Sequence, residues 1–159
     1  MRIPESRIEL APATEEDGRL IWAWRNDPAA RRNSLNPGKI PLAHSLRWLK
    51  AKLADPRCLI LIARSGGKPV GQLRLDLVRP GAAQVSISVD PKSRGRGLGT
   101  LMLRAIPARL AGRRLTRCLA VIKPDNVGSV VAFVKAGFRF ASVSRIAGAP
   151  AYRLEKRLP

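Results

Sequence analysis

The chain has 159 residues, of which 45% are hydrophobic, and its 30 Lys and Arg against 11 Asp and Glu give a formal net charge of +19. This length and apolar content predict one folded domain and exclude a disordered chain. No apolar run reaches the roughly 20 residues of a membrane-spanning helix, and the Met1–Pro4 start lacks the apolar core of a signal peptide. We therefore expect a cytoplasmic protein, monomeric or homodimeric, without a membrane partner.

The positive charge is concentrated in the second half of the chain. After Asp90 the only acidic residues are Asp125 and Glu155. A field of this size attracts polyanions, so coenzyme A, a nucleotide sugar and nucleic acid are all candidate ligands. The other interpretation is an arginine-rich surface that is simply solvated.

The sequence offers no pattern of metal ligands. Cys58 and Cys118 each lie in an apolar run, where a thiol behaves as a small hydrophobic side chain. His44 is the one histidine and is remote from both cysteines along the chain. We therefore expect neither a metal site nor a disulfide.

In chain order, residues 7–11 alternate weakly between polar and apolar and predict a first strand. A capping-box-like start at Thr14 and apolar residues at helical spacing predict a helix. That helix should end before Pro28, because proline disfavours helical geometry in the residue that precedes it. Residues 28–40 are polar and turn-rich, which predicts a loop that lines a site. Leucines at helical spacing over residues 41–55 predict a second helix.

The centre of the chain predicts three successive antiparallel strands. Residues 58–63 are continuously apolar, as in a buried strand, and a glycine turn at 65–68 leads to a second strand at 70–77. A Pro-Gly turn at 79–81 leads to the third strand, 84–89, in which apolar residues alternate with Gln and Ser.

A glycine-rich loop, residues 94–100, follows this third strand after Pro91. Its three alternate glycines precede a helix predicted over 98–106, with a kink at Pro107. Glycines at a helix start let the backbone approach a ligand, and the unpaired helix amides favour an anion such as a diphosphate. The spacing fits neither a Walker motif nor a dinucleotide fingerprint, and a flexible turn is the alternative.

The last part of the chain predicts a strand at 117–122, a helix and two final strands at 138–146 and 152–156. The intervening segment is rich in valine, which by propensity favours a strand. Asn126 as N-cap, Gly137 as C-cap and valines along one face favour a helix instead.

Two motifs resemble the GCN5-related N-acetyltransferase (GNAT) family. Arg94-x-x-Gly97-x-Gly99 resembles its acetyl-coenzyme A loop, and the pattern from Asn126 to Phe138 resembles its second conserved region. The resemblance implies a single α/β domain over residues 1–159, with a mixed, mostly antiparallel sheet of six to seven strands and flanking helices. The sheet should be splayed between its fourth and fifth strands, with acetyl-coenzyme A as the cosubstrate in that gap.

The resemblance also implies which residues bind the cosubstrate. They are Ile87, Ser88, Val89, Arg94, Gly95, Arg96, Gly97, Leu98, Gly99, Thr100, Asn126, Ser129, Phe133 and Lys135.

The N-terminal half carries Trp22-Ala-Trp24-Arg25-Asn26-Asp27, then Arg31, Asn33-Ser34, Ile40, His44 and Trp48. This pattern resembles the amino-sugar N-acetyltransferases of pseudaminic and related nonulosonic acid synthesis. This similarity implies a small amine acceptor, a UDP-linked 4-amino sugar, with Arg25, Arg31 and Arg32 as candidates to meet its diphosphate. The acceptor-binding residues that it implies are Trp24, Arg25, Asn26, Arg31, Asn33, His44 and Trp48. The alternative interpretation of the tryptophans is that they belong to the core.

Two other functions remain open from the sequence. The acceptor can be a protein amino terminus or lysine, as in ribosomal-protein acetyltransferases, although few acids are present to build a groove for basic peptides. A nucleic-acid-binding protein with an inactive acetyltransferase fold is the second alternative. Only 4% of the residues are aromatic, which argues against a base-stacking surface, so we do not expect nucleic acid as a substrate.

The chain departs from its relatives at both proton-transfer positions. Gln84 stands where many relatives carry a glutamate base, and Phe133 where many carry a tyrosine acid. Ser86 and Ser88 are candidates to hold a water that relays the proton, and His44 is the only side chain with a suitable unperturbed pKa. We expect a backbone N–H near Val89 to polarise the thioester carbonyl.

Overall fold

A seven-stranded sheet runs through residues 7–159, the part of the chain that the computed structural model describes. The Met1–Pro4 segment, on which the expectation of no signal peptide depends, lies outside these residues. The strand order is β1-β2-β3-β4-β5-β7-β6, and only the β4–β5 pair is parallel. The strands are β1 Ile8–Pro12, β2 Cys58–Ser65, β3 Lys68–Arg79, β4 Ala82–Val89, β5 Arg117–Ile122, β6 Arg139–Ile146 and β7 Ala149–Arg157. This architecture confirms the predicted fold class.

Helices cover both faces of the sheet. They are α1 Gly18–Asn26, α2 Pro28–Asn33, α3 Leu42–Ala54, α4 Leu98–Arg104, α5 Ile106–Arg109 and α6 Val127–Lys135. Trp24 and Leu49 of α1 and α3 pack with Ile60 and Ile62 of β2 on one face, while Leu61 of the same strand packs with the α4 and α6 side chains on the other. The strand β2 is continuously apolar because both of its faces are buried. Within residues 7–159, no helix is long and apolar enough to span a bilayer.

The prediction of a loop over residues 28–40 is wrong for its first half, where α2 forms. The Asp27 carboxylate accepts a hydrogen bond of 3.1 Å from the Ala30 N–H, and Pro28 occupies the first helical turn. Proline is tolerated there because its missing N–H would have no intrahelical partner. Pro28 thus both ends α1 and begins α2, and the sequence analysis recognised only the first effect.

Two helix predictions are confirmed. The helix after the glycine loop breaks at Ala105 into α4 and α5, next to Pro107. The valine-rich segment is the helix α6, with Asn126 accepting from the Ser129 N–H at its start. At its end Gly137 has φ +96°, and the Phe138 N–H returns to the Phe133 carbonyl at 3.0 Å, closing the helix as glycine C-caps do.

The predicted splay of the sheet lies between β4 and β5. These strands are paired only from Ala82 to Gln84 on β4 and from Arg117 to Leu119 on β5. Both strands continue beyond these pairs but diverge, so their facing edges are left without ladder partners. The resulting gap positions the candidate site described below.

The close packing of β3 against its neighbours predicts that Gly71→Ala is destabilising. A Cβ at Gly71 would lie 2.8 Å from the Ser88 carbonyl oxygen and 3.0 Å from the Met102 Cε. We expect a loss of about 1–3 kcal/mol in the free energy of unfolding, measured by urea titration. Gly128→Ala in α6 is the control, because nothing lies within 4 Å of its Cβ, and it should be neutral or slightly stabilising. Equal effects of the two changes would contradict the packing argument.

Candidate active site

The gap between β4 and β5 opens into a cleft of about 1170 Å³. One end is bordered by the glycine loop and α6, and the other by residues from α1, the 28–40 segment and α3. Lys123, just after β5, donates a hydrogen bond of 2.8 Å to the Arg32 carbonyl, so the 28–40 segment bridges the cleft from the β4 side to the β5 side.

The glycine loop presents its backbone to the cleft. Gly95 and Gly97 both have φ +78°, and no atom lies within 4 Å of where a Cβ would stand on either. Gly99 has a different role, because a Cβ there would lie 3.2 Å from the Ile87 Cδ1, so its absence lets α4 pack closely on β4. Leu98 is buried and anchors the first turn of α4. The loop therefore leaves its backbone open to the cleft at the start of α4, as a loop that binds a diphosphate through its backbone requires.

The edge of β4 supplies a second row of backbone groups. The Asp90 N–H donates to the Val70 carbonyl of β3 at 2.8 Å, and Val89 is the register partner of Gly71. In an antiparallel pair this pattern points the N–H and C=O of Val89 away from β3. The N–H and C=O groups of Val89 therefore face the gap. Because the direction of these groups alternates along a strand, those of Ile87 face it as well. These groups can bind an extended amide-bearing chain and polarise a carbonyl placed at the end of the strand.

Two polar contacts tie the glycine loop to the α1–α2 junction. The Arg94 guanidinium forms an ion pair of 2.8 Å with Asp27, and the Trp24 indole N–H donates to the Asp90 carboxylate at 2.8 Å. Burial alone would raise the pKa of Asp27, but hydrogen bonds from Arg94 and the Ala30 N–H outweigh it and lower that pKa. The ionised carboxylate of Asp27 thus holds both the start of α2 and the loop.

The end of the cleft that is bordered by α1 and α3 is lined by the polar face of β3 and β4. Gln72 and Arg74 of β3 are register partners of Ser88 and Ser86 of β4, so all four side chains lie on the same face of the sheet. This face is the one that carries α1 and α3, because the Arg74 guanidinium lies 5.2 Å from the Trp48 ring centroid. Gln72 and Arg74 were missed by the sequence analysis. The polar positions alternating with leucine along β3 were the available signal.

The structure separates the predicted acceptor residues into two groups. Arg25, Asn33, His44 and Trp48 line the cleft, and His44 is exposed in the first turn of α3. The other three do not line it: Trp24, Asn26 and Arg31.

These three side chains have structural partners instead. Trp24 is buried in the core beneath α1. The Asn26 amide accepts from the Ile40 N–H and donates to the Ile40 carbonyl, both at 2.9 Å, and the Arg31 Nε donates to the Pro37 carbonyl at 3.0 Å. Asn26 and Arg31 therefore hold the end of the 28–40 segment in place.

The predicted cosubstrate residues all border the cleft. On the α6 side, the Asn126 side chain is used as the helix cap. Phe133 is 2% exposed and packs edge-on against Phe138, with ring centroids 4.9 Å apart. Its ring therefore belongs mainly to the core and brings no proton donor to the cleft.

Comparison with known proteins identifies the family of this chain. Residues 7–139 match the family model described as an acetyltransferase (GNAT) domain. The chain is similar to the aminoglycoside acetyltransferase AAC(6')-Ib in complex with coenzyme A and kanamycin, with 21% identity, a TM-score of 0.82 and 94% of each chain covered. It is similar to spermidine N-acetyltransferase from Vibrio cholerae in complex with coenzyme A and spermine, with 16% identity, a TM-score of 0.83 and 96% of each chain covered.

A third similar structure is RimL, a ribosomal L7/L12 alpha-N-protein acetyltransferase in complex with coenzyme A. Its identity to this chain is 15% and its TM-score 0.84, over 98% of this chain and 97% of RimL. At these identities the three likenesses concern the fold, whereas the family match spans most of the sequence. The chain therefore belongs to the GNAT family, as an N-acetyltransferase whose cosubstrate is acetyl-coenzyme A.

Proposed function

We propose that this enzyme acetylates the primary amine of a small acceptor, a UDP-linked 4-amino sugar, by direct attack in a ternary complex. The observation that carries the proposal is a row of amide and hydroxyl side chains on one face of β3 and β4. Four of them line the cleft: Gln72, Gln84, Ser86 and Ser88. We call this surface, together with Arg74 and the facing side chains of α1 and α3, the acceptor wall. Amide and hydroxyl groups match the hydroxyl groups of a sugar ring, each of which both donates and accepts hydrogen bonds.

The cosubstrate is assigned to the opposite wall. The glycine loop would hold its diphosphate, since the backbone at Gly95 and Gly97 is open to the cleft. The free edge of β4 would hold the amide-bearing arm, and the Val89 N–H would support the oxyanion that forms on the thioester carbonyl. The side chains of Ser86 and Ser88 then point toward the acceptor, on the face that α4 does not cover.

The acceptor amine must lose a proton, because only the neutral amine can attack the thioester. A lysine-type amine has a pKa near 10.4, so holding it neutral at pH 7 costs about 4.6 kcal/mol, which is an upper bound for a sugar amine because the neighbouring oxygens withdraw electrons and lower its pKa. Gln84 cannot act as a base, and we propose that a water bound by Ser86 and Ser88 relays the proton from the amine to bulk solvent, with His44 as the alternative base. Phe133 brings no acid, but a leaving thiol with a pKa of about 8.5 departs adequately near neutrality.

The competing acceptor is a protein amino terminus, in line with the likeness to RimL. A basic peptide would be held best by carboxylates. Among the described residues that line the cleft, Asp125 is the only acid. We therefore favour the sugar over a peptide and over nucleic acid. The cytoplasmic location and the monomeric or dimeric state stay predictions.

The open backbone of the glycine loop predicts that Gly97→Asp abolishes coenzyme A binding. The change brings a carboxylate against the diphosphate, and we expect at least a hundredfold rise in Kd by titration calorimetry. Gly67→Asp is the matched control, because Gly67 has nearly the same φ, +79° against +78°, and equally open space, but lies in the β2–β3 hairpin turn. Its Kd should equal that of the wild type. An unchanged Kd in Gly97→Asp would place the diphosphate elsewhere.

The acceptor proposal predicts a ranking of substrates. With saturating acetyl-coenzyme A, a UDP-linked 4-amino sugar should be acetylated with a kcat/KM at least tenfold above that of a basic peptide with a free amino terminus. Release of free thiol is the measurement. A higher kcat/KM with the peptide would replace the sugar by a protein acceptor.

The relay proposal predicts different effects at the two candidate proton acceptors. Ser88→Ala should lower kcat by more than about tenfold because it removes one of the water's two hydroxyl partners, whereas His44→Gln should lower it by less. Steady-state kcat of the two variants at saturating concentrations of both substrates is the measurement. A larger loss of kcat in His44→Gln than in Ser88→Ala would assign the base to His44.

A further inference from the structure

Two guanidinium groups face the acceptor end of the cleft, one from Arg25 of α1 and one from Arg74 of β3. The Arg25 Nη2 donates to the Asn36 carbonyl. The Arg25 Nη1 is buried, and within residues 7–159 no hydrogen-bond acceptor reaches it. A buried, charged N–H group without a hydrogen-bond partner is costly. We therefore expect a ligand to supply the oxygen atom that accepts a hydrogen bond from this nitrogen.

The surroundings of Arg25 contain an excess of positive charge. Burial is the main cause that lowers the pKa of Arg25, and the charges of Arg74 and then Arg31 lower it further. The Asp76 carboxylate does not offset this excess. It is shared between the Arg74 Nε at 2.8 Å and the Lys52 ammonium at 3.2 Å, so one carboxylate serves two cations before Arg25 is counted.

The remaining carboxylates near the cleft are used or lie on its other side. Asp27 is paired with Arg94, and Asp90 accepts from Trp24. Asp125 follows β5, across the gap from α1 and α3. A polycationic acceptor would therefore bring its ammonium groups against the two guanidiniums, with no described carboxylate on that wall free to receive them.

We propose that Arg25 and Arg74 form the subsite for an anionic group of the acceptor, a carboxylate or a phosphate, so that the enzyme selects amines that carry negative charge. The proposal rests on the proposed function and assigns the residues that receive the negative charge of its acceptor. An oxyanion supplies the missing partner of the Arg25 Nη1 and offsets the excess charge, and guanidinium groups bind carboxylates and phosphates through two parallel hydrogen bonds. The aminoglycoside and the polyamine in the similar structures are polycations and would be rejected here.

This subsite is separate from the glycine loop assigned to the cosubstrate. Arg74 is the register partner of Ser86, on the face of the sheet that carries α1 and α3. The glycine loop lies at the far end of β4 and leads into α4 on the opposite face. An anion held by Arg25 and Arg74 therefore belongs to the acceptor.

The test compares amines that differ in charge, with thiol release as the measurement. Glucosamine 6-phosphate and glucosamine form one pair, and the carboxylate-bearing galactosaminuronic acid and galactosamine form another. Spermidine and kanamycin represent polycations. We expect the member of at least one pair that carries the anionic group to have a kcat/KM at least tenfold above its partner without that group and above both polycations. The pair that responds identifies phosphate or carboxylate as the group recognised.

The variants Arg25→Gln and Arg74→Gln should lower kcat/KM for the preferred anionic amine by about ten- to a hundredfold, through KM. The partner without the anionic group should change by less than about threefold, and the Kd of coenzyme A should not change. Arg64→Gln is the matched control, because Arg64 also forms an ion pair of 3.2 Å and is 33% exposed, against 28% for Arg74, but does not line the cleft. Thermal unfolding checks that each variant is folded.

A direct binding measurement keeps the proposal testable without turnover. UDP, glucosamine 6-phosphate and galactosaminuronic acid are titrated into the enzyme saturated with coenzyme A, and binding should be lost in Arg25→Gln. Three outcomes would overturn the subsite. The variants lose kcat/KM equally for amines with and without the anionic group, spermidine or kanamycin has the higher kcat/KM, or none of the three anionic compounds binds. If coenzyme A binds but no amine releases thiol, including the UDP-linked 4-amino sugar, the proposed function alone is contradicted. The titrations with the anionic compounds then still test the subsite.

Discussion

The separation of β4 from β5 is the constraint on which the rest of the site depends. Three residue pairs join the two strands, from Ala82 to Gln84 on β4. Beyond them, within residues 7–159, the backbone of β4 has ladder partners only on its β3 side. Unpaired N–H and C=O groups inside a sheet are costly unless a ligand or water satisfies them. The gap therefore creates a binding edge within the core of the fold, and its amides are held rigidly by the β3 ladder.

The alternation of side chains along β4 divides the cleft into two chemically different walls. Val85 packs into the core with α4, and Ile87 packs against that core. Ser86 and Ser88 point to the other face, beside β3 and α3. One strand thus has an apolar face toward α4, a free backbone edge along the gap and a polar face beside α3. A shift of one residue in its register would exchange the two walls.

The two walls are also linked mechanically, because Asp27 and Asp90 join α1 to the glycine loop. Asp27 caps α2 and pairs with Arg94, and Asp90 receives the Trp24 indole N–H while capping the turn before the loop. The carboxylates that remain near the acceptor wall are thereby used in structure. Since Lys52 and Arg74 share Asp76, the acceptor wall keeps a positive charge that the fold itself does not neutralise.

The sequence by itself determined the family, the glycine loop and most of the element order. Those features depend on local rules, such as left-handed glycines at Gly95 and Gly97 and the caps of α6, and local rules can be read from neighbouring residues. It also identified Gln84 and Phe133 as departures from the usual proton-transfer residues. The acceptor wall was predicted only in part, because side chains from α1, α3 and β3 meet there across long distances in sequence.

Only the tertiary structure decided the remaining assignments. Trp24 is a core residue, where the sequence left open both the core and the acceptor site. The Asn26 amide is used by the Ile40 backbone, which has no signal in the local sequence. Arg74 reaches the acceptor wall through the β3–β4 register, and its proximity to Arg25 follows from how α1 packs on the sheet. Local propensity can place a residue on a strand or a helix, but it does not determine which charges meet across the cleft. Long-range packing brings those charges together.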